Sequence, residues 1–316
     1  MSATVCGPLA SASGIYHYRL YGLALAVDRP LPLLEPTETD AADVTVQFAA
    51  VEPPHATAVF QDQNFTIFAD GTGMFTHPAA SARMLMTLGR RISIDAAESV
   101  AEIDLLNMII GPGMTMLFHQ RGATPLHAAV VCLDGRAVAL AGDSGSGKSS
   151  VSRALVARRH RLLSDDLALV DPETLLVQPG LASSKLTPSS ASILGLSSPY
   201  RAADSKSFVP VSTAFAVGPA RLAAIIILSA RRPSISVAGA RRLRVTEAPA
   251  YLDRLIARRA IAAALGRDRE SFAWAIAMAR QVPVFMLPNP HAASHLDRTC
   301  AIIEDTLVHL AESETP

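Results

Sequence analysis

Residues 136–150 read RAVALAGDSGSGKSS. The first six residues are apolar apart from Arg136, a pattern typical of a buried parallel strand. The next segment matches G-x-x-x-x-G-K-[ST] in full. Its four defining positions are Gly142, Gly147, Lys148 and Ser149. Helical periodicity follows over residues 149–159. The stretch therefore predicts a strand, a phosphate-binding loop and a helix in direct succession, which is the context that this motif needs.

The loop has the chemistry to hold phosphates. Its glycines let the backbone approach a ligand closely, and successive N–H groups form an anion cradle with the N-terminus of the next helix. Lys148 is a point charge for the β- and γ-phosphates, and the Ser149 hydroxyl is a Mg²⁺ ligand. We therefore expect a nucleoside triphosphate and Mg²⁺ here. The expected binding residues are Gly142, Asp143, Ser144, Gly145, Ser146, Gly147, Lys148, Ser149 and Ser150.

Composition fits a soluble enzyme of one large domain or two. The 316 residues include 28 acidic and 28 basic ones, so nothing argues for a nucleic-acid or membrane partner. Cys6, Cys132 and Cys300 are too few and too widely spaced to suggest a disulfide framework or a zinc site. The N-terminus lacks a targeting pattern, and the apolar run 225–228 is too short to cross a bilayer. A cytoplasmic location is expected.

The pattern along the chain predicts two domains. The first hundred residues contain short alternating segments and turn signals, with a hairpin turn expected at Asp70-Gly71. Strands are predicted over residues 16–26, 43–48, 58–60, 65–68 and 74–76. A helical segment over 100–118 contains Gly-Pro-Gly at 111–113, which should kink or split it. We expect a β-rich N-terminal domain over residues 1–100 and a nucleotide-binding domain over 101–316 that includes this linking helix.

Candidate catalytic groups lie on both sides of the loop. Asp165-Asp166 follow a short apolar strand, and consecutive strand residues point to opposite faces. One carboxylate can therefore face a metal ion while the other faces an incoming hydroxyl. His127 lies on the strand that the Asp134-Gly135 turn places beside the one that feeds the loop. Histidine titrates near neutrality, which suits a proton relay or a phosphate contact.

These motifs together resemble the HPr kinase/phosphorylase catalytic domain. The resemblance covers residues 126–171 and consists of Leu126-His127, the Asp134-Gly135 turn, GDSGSGKSS at 142–150 and HRLLSDD at 160–166. It implies an α/β fold with a P-loop core like that of phosphoenolpyruvate carboxykinase, and transfer of phosphate from ATP to a serine hydroxyl. It also implies roles for individual residues. Asp165 would be the general base, His127 would assist near it, and Asp166 and Ser149 would hold Mg²⁺. Lys148 is expected to be catalytic together with Asp165 and His127.

The downstream metal-binding and phosphorolysis signature of that family is missing from residues 180–200, so neither the reverse reaction nor HPr as acceptor is expected. Over its whole length the chain is closer to the HPr kinase-like tailoring kinases of lasso-peptide gene clusters. The shared features are the β-rich start, Arg121-Gly122 ahead of Leu126-His127, and Pro179-Gly180 ahead of Lys185-Leu186. Those kinases phosphorylate a serine of the precursor peptide.

Residues 180–210 are rich in Ser, Pro and Gly, which predicts a mobile segment beside the substrate. Lys185 and Lys206 lie near its ends and are candidates to supply a cation to the transferring phosphoryl group. An ordinary exposed surface lysine is an equally good interpretation of each.

The leading hypothesis is a Mg·ATP-dependent kinase acting on a serine of a peptide or protein, with a lasso-type precursor as the expected acceptor. Two alternatives stay open. One is a kinase for a small hydroxy compound, and the other is a regulatory ATP-binding module that transfers no phosphate. Self-association of the chain is also left open.

Overall fold

The computed structural model describes residues 14–39, 41–77, 81–211, 213–229, 239–289 and 293–314. Cys6 lies outside these residues. The chain divides between Gly122 and Ala123 into two compact units. In the described part of the chain, no helix combines the length and the apolar character that a membrane span requires. The domain boundary expected near residue 100 stays a prediction.

The N-terminal unit is built on one sheet. Its strands, among the described residues, are β1 (Tyr16–Leu20), β2 (Leu23–Val27), β3 (Val44–Phe48), β4 (Ala58–Gln61), β5 (Phe65–Phe68), β6 (Gly73–His77), β7 (Ala82–Thr87) and β8 (Arg91–Ala96). They lie in the order β1-β2-β3-β8-β7-β6-β5-β4. Neighbours are antiparallel except for the β2–β3 and β3–β8 pairs. The prediction of a β-rich N-terminal region is confirmed.

Two strands in this sheet escaped the sequence pattern. β7 and β8 form a hairpin whose turn residues, Leu88 and Gly89, both have positive φ, at 54° and 65°. Hairpin turns of this kind usually carry Asn or Asp at the first position, and leucine there gives no turn signal. The turn expected at Asp70-Gly71 does connect β5 to β6.

The predicted helical segment is split at its Gly-Pro-Gly sequence. α1 (Glu102–Met108) and α2 (Met114–Gln120) flank a π-helical turn, Ile109–Gly113, which contains Pro112. At the end of α2, the Gln120 amide Nε2 donates to Gly71 O at 2.8 Å and Met86 O at 3.0 Å, and its Oε1 accepts from Gly89 N at 2.9 Å. One side chain therefore holds two hairpin turns of the sheet.

The C-terminal unit is an α/β domain. Its strands are β9 (Pro125–Leu126), β10 (Ala128–Leu133), β11 (Arg136–Ala141), β12 (Arg161–Ser164), β13 (Ala168–Leu169), β14 (Leu176–Val177), β15 (Ser183–Leu186), β16 (Tyr200–Arg201), β17 (Ser207–Pro210), β18 (Ala220–Ser229), β19 (Arg241–Arg242) and β20 (Val284–Pro288). Its helices are α3 (Lys148–Ala157), α4 (Pro188–Ile193), α5 (Ala248–Arg254), α6 (Arg259–Ala264), α7 (Asp268–Gln281), the 3₁₀ turn Ala293–His295 and α8 (Leu296–Glu314).

The main sheet of this unit has the order β12-β10-β11-β18-β20-β19, and β14 pairs with β18. Alternate residues of the strands are buried on opposite faces of this sheet. Leu140 and its neighbours pack with α3 and α8 on one face, and Ala139 and its neighbours pack with α5 and α7 on the other. A sheet covered on both faces explains why its strands read as almost uninterrupted apolar runs.

The strand directions collect the candidate site at one edge of this sheet. β11, β18 and β20 are parallel, and β10 is antiparallel to both β11 and β12. The carboxyl ends of β11, β12, β18 and β20 therefore lie at the same edge as the start of β10. In open α/β sheets this carboxyl edge is where ligands bind.

Residues 183–210 form a small sheet of the order β15-β17-β16, together with α4. Composition alone indicated no regular elements here. Thr187 caps α4 by accepting a hydrogen bond from Ser190 N at 3.2 Å, and Pro188 occupies the first helical turn. The mobility expected of this segment stays a prediction.

Replacement of Gln120 by alanine should lower the free energy of unfolding by about 1–3 kcal/mol, because three backbone groups lose their partner. Urea unfolding followed by circular dichroism measures the change. Gln61→Ala, at an exposed position of β4, is the matched control and should change stability by less than about 0.5 kcal/mol. Equal losses in the two variants would contradict the role given to Gln120.

Candidate active site

The phosphate-binding loop joins β11 to α3 as the sequence predicts. Gly142, Gly145 and Gly147 have φ of 147°, 81° and 92°, values that side-chain-bearing residues rarely adopt. Lys148 is buried and its Nζ donates to Gly142 O at 2.7 Å and Asp143 O at 3.0 Å. Burial lowers the pKa of Lys148, while the nearby carboxylates of Asp166 and Asp165 raise it. The Lys148 side chain therefore lies against the first residues of the phosphate-binding loop.

Asn289 directly follows β20 and bonds to the loop at the shared carboxyl edge of the sheet. Its Nδ2 donates to Ser146 O at 2.8 Å, and its Oδ1 accepts from Thr299 Oγ1 at 3.2 Å. A Cβ atom on Gly147 would lie 2.5 Å from this same Nδ2. Sequence reasoning missed Asn289, although a polar residue directly after a buried strand is the available signal.

The buried carboxylate of Asp165 lies directly against the loop helix. It follows β12 and is 8% exposed. Its Oδ1 accepts from Ser149 Oγ at 3.0 Å, and its Oδ2 accepts from the backbone N–H of Lys185 at 2.7 Å. Burial raises the pKa of Asp165 to about 6, and the charge of Asp166 adds to this, whereas the two hydrogen bonds oppose it. The Lys185 N–H could not be found from side-chain patterns.

Asp166 faces outward and pairs with His127. Its side chain is 49% exposed and its φ is 73°, so the backbone reverses direction directly after the buried Asp165. His127 Nδ1 lies 3.0 Å from Asp166 O and 3.3 Å from Asp166 Oδ1. Burial lowers the pKa of His127, and the Lys148 and Lys206 charges lower it further, while Asp166 raises it. A neutral imidazole that donates from Nδ1 fits these contacts.

The structure therefore brings His127, both aspartates and the loop together, as the sequence predicts. It pairs Ser149 with Asp165, whereas Ser149 and Asp166 were the expected pair. Which carboxylate serves the metal and which serves the acceptor stays a prediction, and these contacts favour the reverse division.

The other predicted loop residues have separate surroundings. Ser150 Oγ donates to Ser190 Oγ at 3.0 Å, which connects α3 to α4. The Asp143 carboxylate is exposed and lies 3.6 Å from Arg254. Ser144 lines the pocket described next, and Ser146 is buried.

A pocket of about 300 Å³ opens beside the loop. Its walls combine loop residues with His127 and Asp166, with Lys185 and Lys206, and with α4. The volume is at the lower end of the range for small-molecule sites, roughly 300–1,000 Å³. Both candidate lysines thus share one pocket with the loop.

The oxygen atoms of Ser149 and the two aspartates suit Mg²⁺, which proteins usually hold through one or two carboxylates together with substrate phosphates. Within the described residues, no group of three or more His, Cys, Asp or Glu side chains forms a metal site by itself. The residues present therefore fit a metal ion that arrives with a phosphate ligand.

The fold and the loop define an α/β P-loop domain, preceded by a β-rich N-terminal unit. The chain belongs to the family described as SynChlorMet cassette protein ScmC, whose model matches residues 93–293.

The chain is also similar to the solved structure of the HPr(Ser) kinase/phosphatase from Coxiella burnetii. The identity is 14%, the match covers 60% of this chain and 94% of that one, and the TM-score is 0.35. Structural likeness at this level supports no conclusion about function. No curated protein matches the chain.

Gly147→Ala should cost clearly more stability than Gly145→Ala. Both positions need a left-handed backbone, which costs roughly 1–2 kcal/mol with a Cβ atom. Only at Gly147 does the Cβ meet Asn289, whereas Gly145 faces open space. Urea unfolding should show an additional loss of about 1 kcal/mol or more for Gly147→Ala. Adding Asn289→Ala should cost less in the Gly147→Ala background than in the native chain, and additive losses would disprove the contact.

Burial of Asp165 should make stability fall as pH rises. Its folded pKa of about 6 exceeds the ordinary value of 3.8, so the folded chain binds more protons than the unfolded chain between these values. This group should remove roughly 3 kcal/mol of stability across the window. Urea unfolding without Mg²⁺ at about pH 4 and about pH 7 should show this loss in the native chain and a smaller one in Asp165→Asn. An unchanged loss in the variant would refute the shift.

Proposed function

We propose that this protein is a Mg·ATP-dependent kinase that transfers the γ-phosphate to a serine hydroxyl. The observation that carries the proposal is the juxtaposition, in one site, of a complete P-loop, a buried carboxylate bonded to the loop serine and an outward carboxylate paired with a histidine. A module that only binds Mg·ATP needs the first two of these. A phosphotransferase also needs a group that removes a proton from the acceptor, and the third feature is the candidate for it.

Ser149 and Asp165 are the residues proposed to hold Mg²⁺. In P-loop enzymes the loop Ser or Thr and an aspartate from a neighbouring strand share this task. The hydrogen bond between Ser149 and Asp165 matches that arrangement. The bound ion would neutralise phosphate charge and fix the orientation of the phosphates. Lys148 provides the cation for the β- and γ-phosphates.

Asp166 is proposed as the general base and His127 as the residue that positions it. The serine oxygen forms a bond to the γ-phosphorus, the bond from that phosphorus to the bridging oxygen of ADP breaks, and the serine proton passes to the Asp166 carboxylate. His127 Nδ1 donates to the backbone O of Asp166 at 3.0 Å and lies 3.3 Å from Asp166 Oδ1, and this contact is the basis for its positioning role. This division of roles reverses the one implied by the sequence resemblance.

The proposed acceptor is a serine in a peptide or protein, and specifically in a ribosomal precursor peptide of the lasso type. Support comes from the sequence resemblance, which consists of the β-rich start and residues 121–127 and 179–186. An exposed Asp166 is compatible with an acceptor that enters from solvent.

Mass spectrometry of serine-bearing precursor peptides, incubated with the protein and Mg·ATP, tests the proposal. One added phosphate on serine is expected, and Lys148→Ala should abolish it. Phosphate transfer to small hydroxy compounds but to no peptide would favour the small-molecule kinase. Nucleotide-dependent partner binding without any phosphorylated product would favour the regulatory module.

A set of four variants separates the roles of the site residues. Asp166→Asn should lower kcat by roughly 10²–10⁴-fold while Mg·ATP affinity is kept. Asp165→Asn should weaken the dependence of ATP affinity on Mg²⁺. His127→Asn, whose amide can still donate to Asp166, should retain more activity than His127→Ala. If His127→Asn and His127→Ala are equally inactive, His127 itself is the base.

A further inference from the structure

One carboxylate outside the proposed catalytic set connects Lys185 and Lys206, two of the lysines that line the pocket. Asp204 lies in the turn between β16 and β17. Its Oδ2 is 2.7 Å from Lys185 Nζ, and its Oδ1 accepts the backbone N–H of Lys206 at 3.1 Å. Lys185 and Lys206 both line the pocket beside the phosphate-binding loop.

The turn that carries Asp204 is closed by its own backbone. Ser205 N donates to Ala202 O at 3.0 Å, and Ala202 N donates to Lys206 O at 2.8 Å. Ser205 has a φ of 67°, so the chain reverses sharply before Lys206. These contacts, together with the hydrogen bond that Asp204 accepts, therefore fix the backbone of Lys206 and the direction in which its side chain begins.

The two lysines are not equivalent. Lys185 is neutralised by Asp204, and its backbone N–H is bonded to Asp165. For Lys206, by contrast, the described part of the chain provides no carboxylate within ion-pair distance of the ammonium group. Lys206 thus has its charge available for an anion in the pocket, while Lys185 and Asp204 form the support beside it.

We propose that Asp204 is a positioning residue that directs Lys206 toward the terminal phosphate of the bound nucleotide. It does so by fixing the β16–β17 turn against Lys185 of β15. The inference rests on the proposed function only in requiring that a nucleoside triphosphate binds at the loop. A cation placed there distinguishes a triphosphate from a diphosphate and stabilises charge on the transferred group.

Isothermal titration of the full-length protein with Mg·ATP and with Mg·ADP tests this proposal. We expect Asp204→Ala and Lys206→Ala each to reduce the preference for ATP over ADP by roughly tenfold, the size of one charged hydrogen bond. The double variant should lose no more than either single variant, because the two residues act as one unit. Lys206→Arg should keep most of the preference.

An unchanged preference in Asp204→Ala, or losses that add in the double variant, would overturn the inference. So would a native protein that binds both nucleotides equally. A native protein that binds no ATP would instead refute the proposed function, and the inference with it.

Two further variants make the result specific. Asp95→Ala breaks the exposed 3.2 Å ion pair with Arg83 in the N-terminal unit and should leave the nucleotide preference unchanged. Asp204→Asn keeps an oxygen for the Lys206 N–H but loses the charge that pairs with Lys185. Asp204→Asn replaces the alanine variant if that variant does not fold. An unchanged preference for ATP over ADP in Asp204→Asn would overturn the role given to the ion pair between Asp204 and Lys185.

Discussion

A buried carboxylate must find hydrogen-bond donors, and Asp165 finds them in two segments that are distant in sequence from each other. Ser149 of α3 donates to one oxygen and the backbone of Lys185 in β15 donates to the other. Leaving such a group unsatisfied costs about 1–3 kcal/mol or more. These two hydrogen bonds fix the positions of the loop helix α3, the end of β12 and the small sheet β15-β17-β16 relative to one another. Because these elements provide walls of the pocket, the same two hydrogen bonds also determine where those walls lie, including the turn that carries Asp204.

Much of the site could be predicted from local sequence. A strand, a glycine-rich loop and a helix within 136–159 specify the anion cradle, because each element has its own periodicity or turn chemistry. The Asp pair follows a short strand, and its two carboxylates have different surroundings, as expected from the sequence. The backbone reversal at Asp166, with φ of 73°, produces the difference. The β-rich start of the chain was also readable, since its strands alternate and are separated by turns.

What the sequence could not supply depends on contacts between distant residues. Strand alternation predicts that the side chains of Asp165 and Asp166 face different surroundings, but only the folded structure shows that Asp165 is the buried one. The donor from Lys185 is a backbone group, which carries no side-chain signature. β7 and β8 were missed because the turn that joins them carries Leu88, which adopts a positive φ without the Asn or Asp that usually signals such a turn.

The bond from Asn289 to Ser146 joins residues 143 positions apart. A chain made from its N-terminus completes the phosphate-binding loop long before the residue that braces it. β18 and β20, the parallel neighbours that extend the sheet beyond β11, also come later. Contacts of such long range are formed late and slowly in folding. During synthesis the loop therefore exists first as an unbraced turn, and Asn289 can brace it only after a further 143 residues have been made.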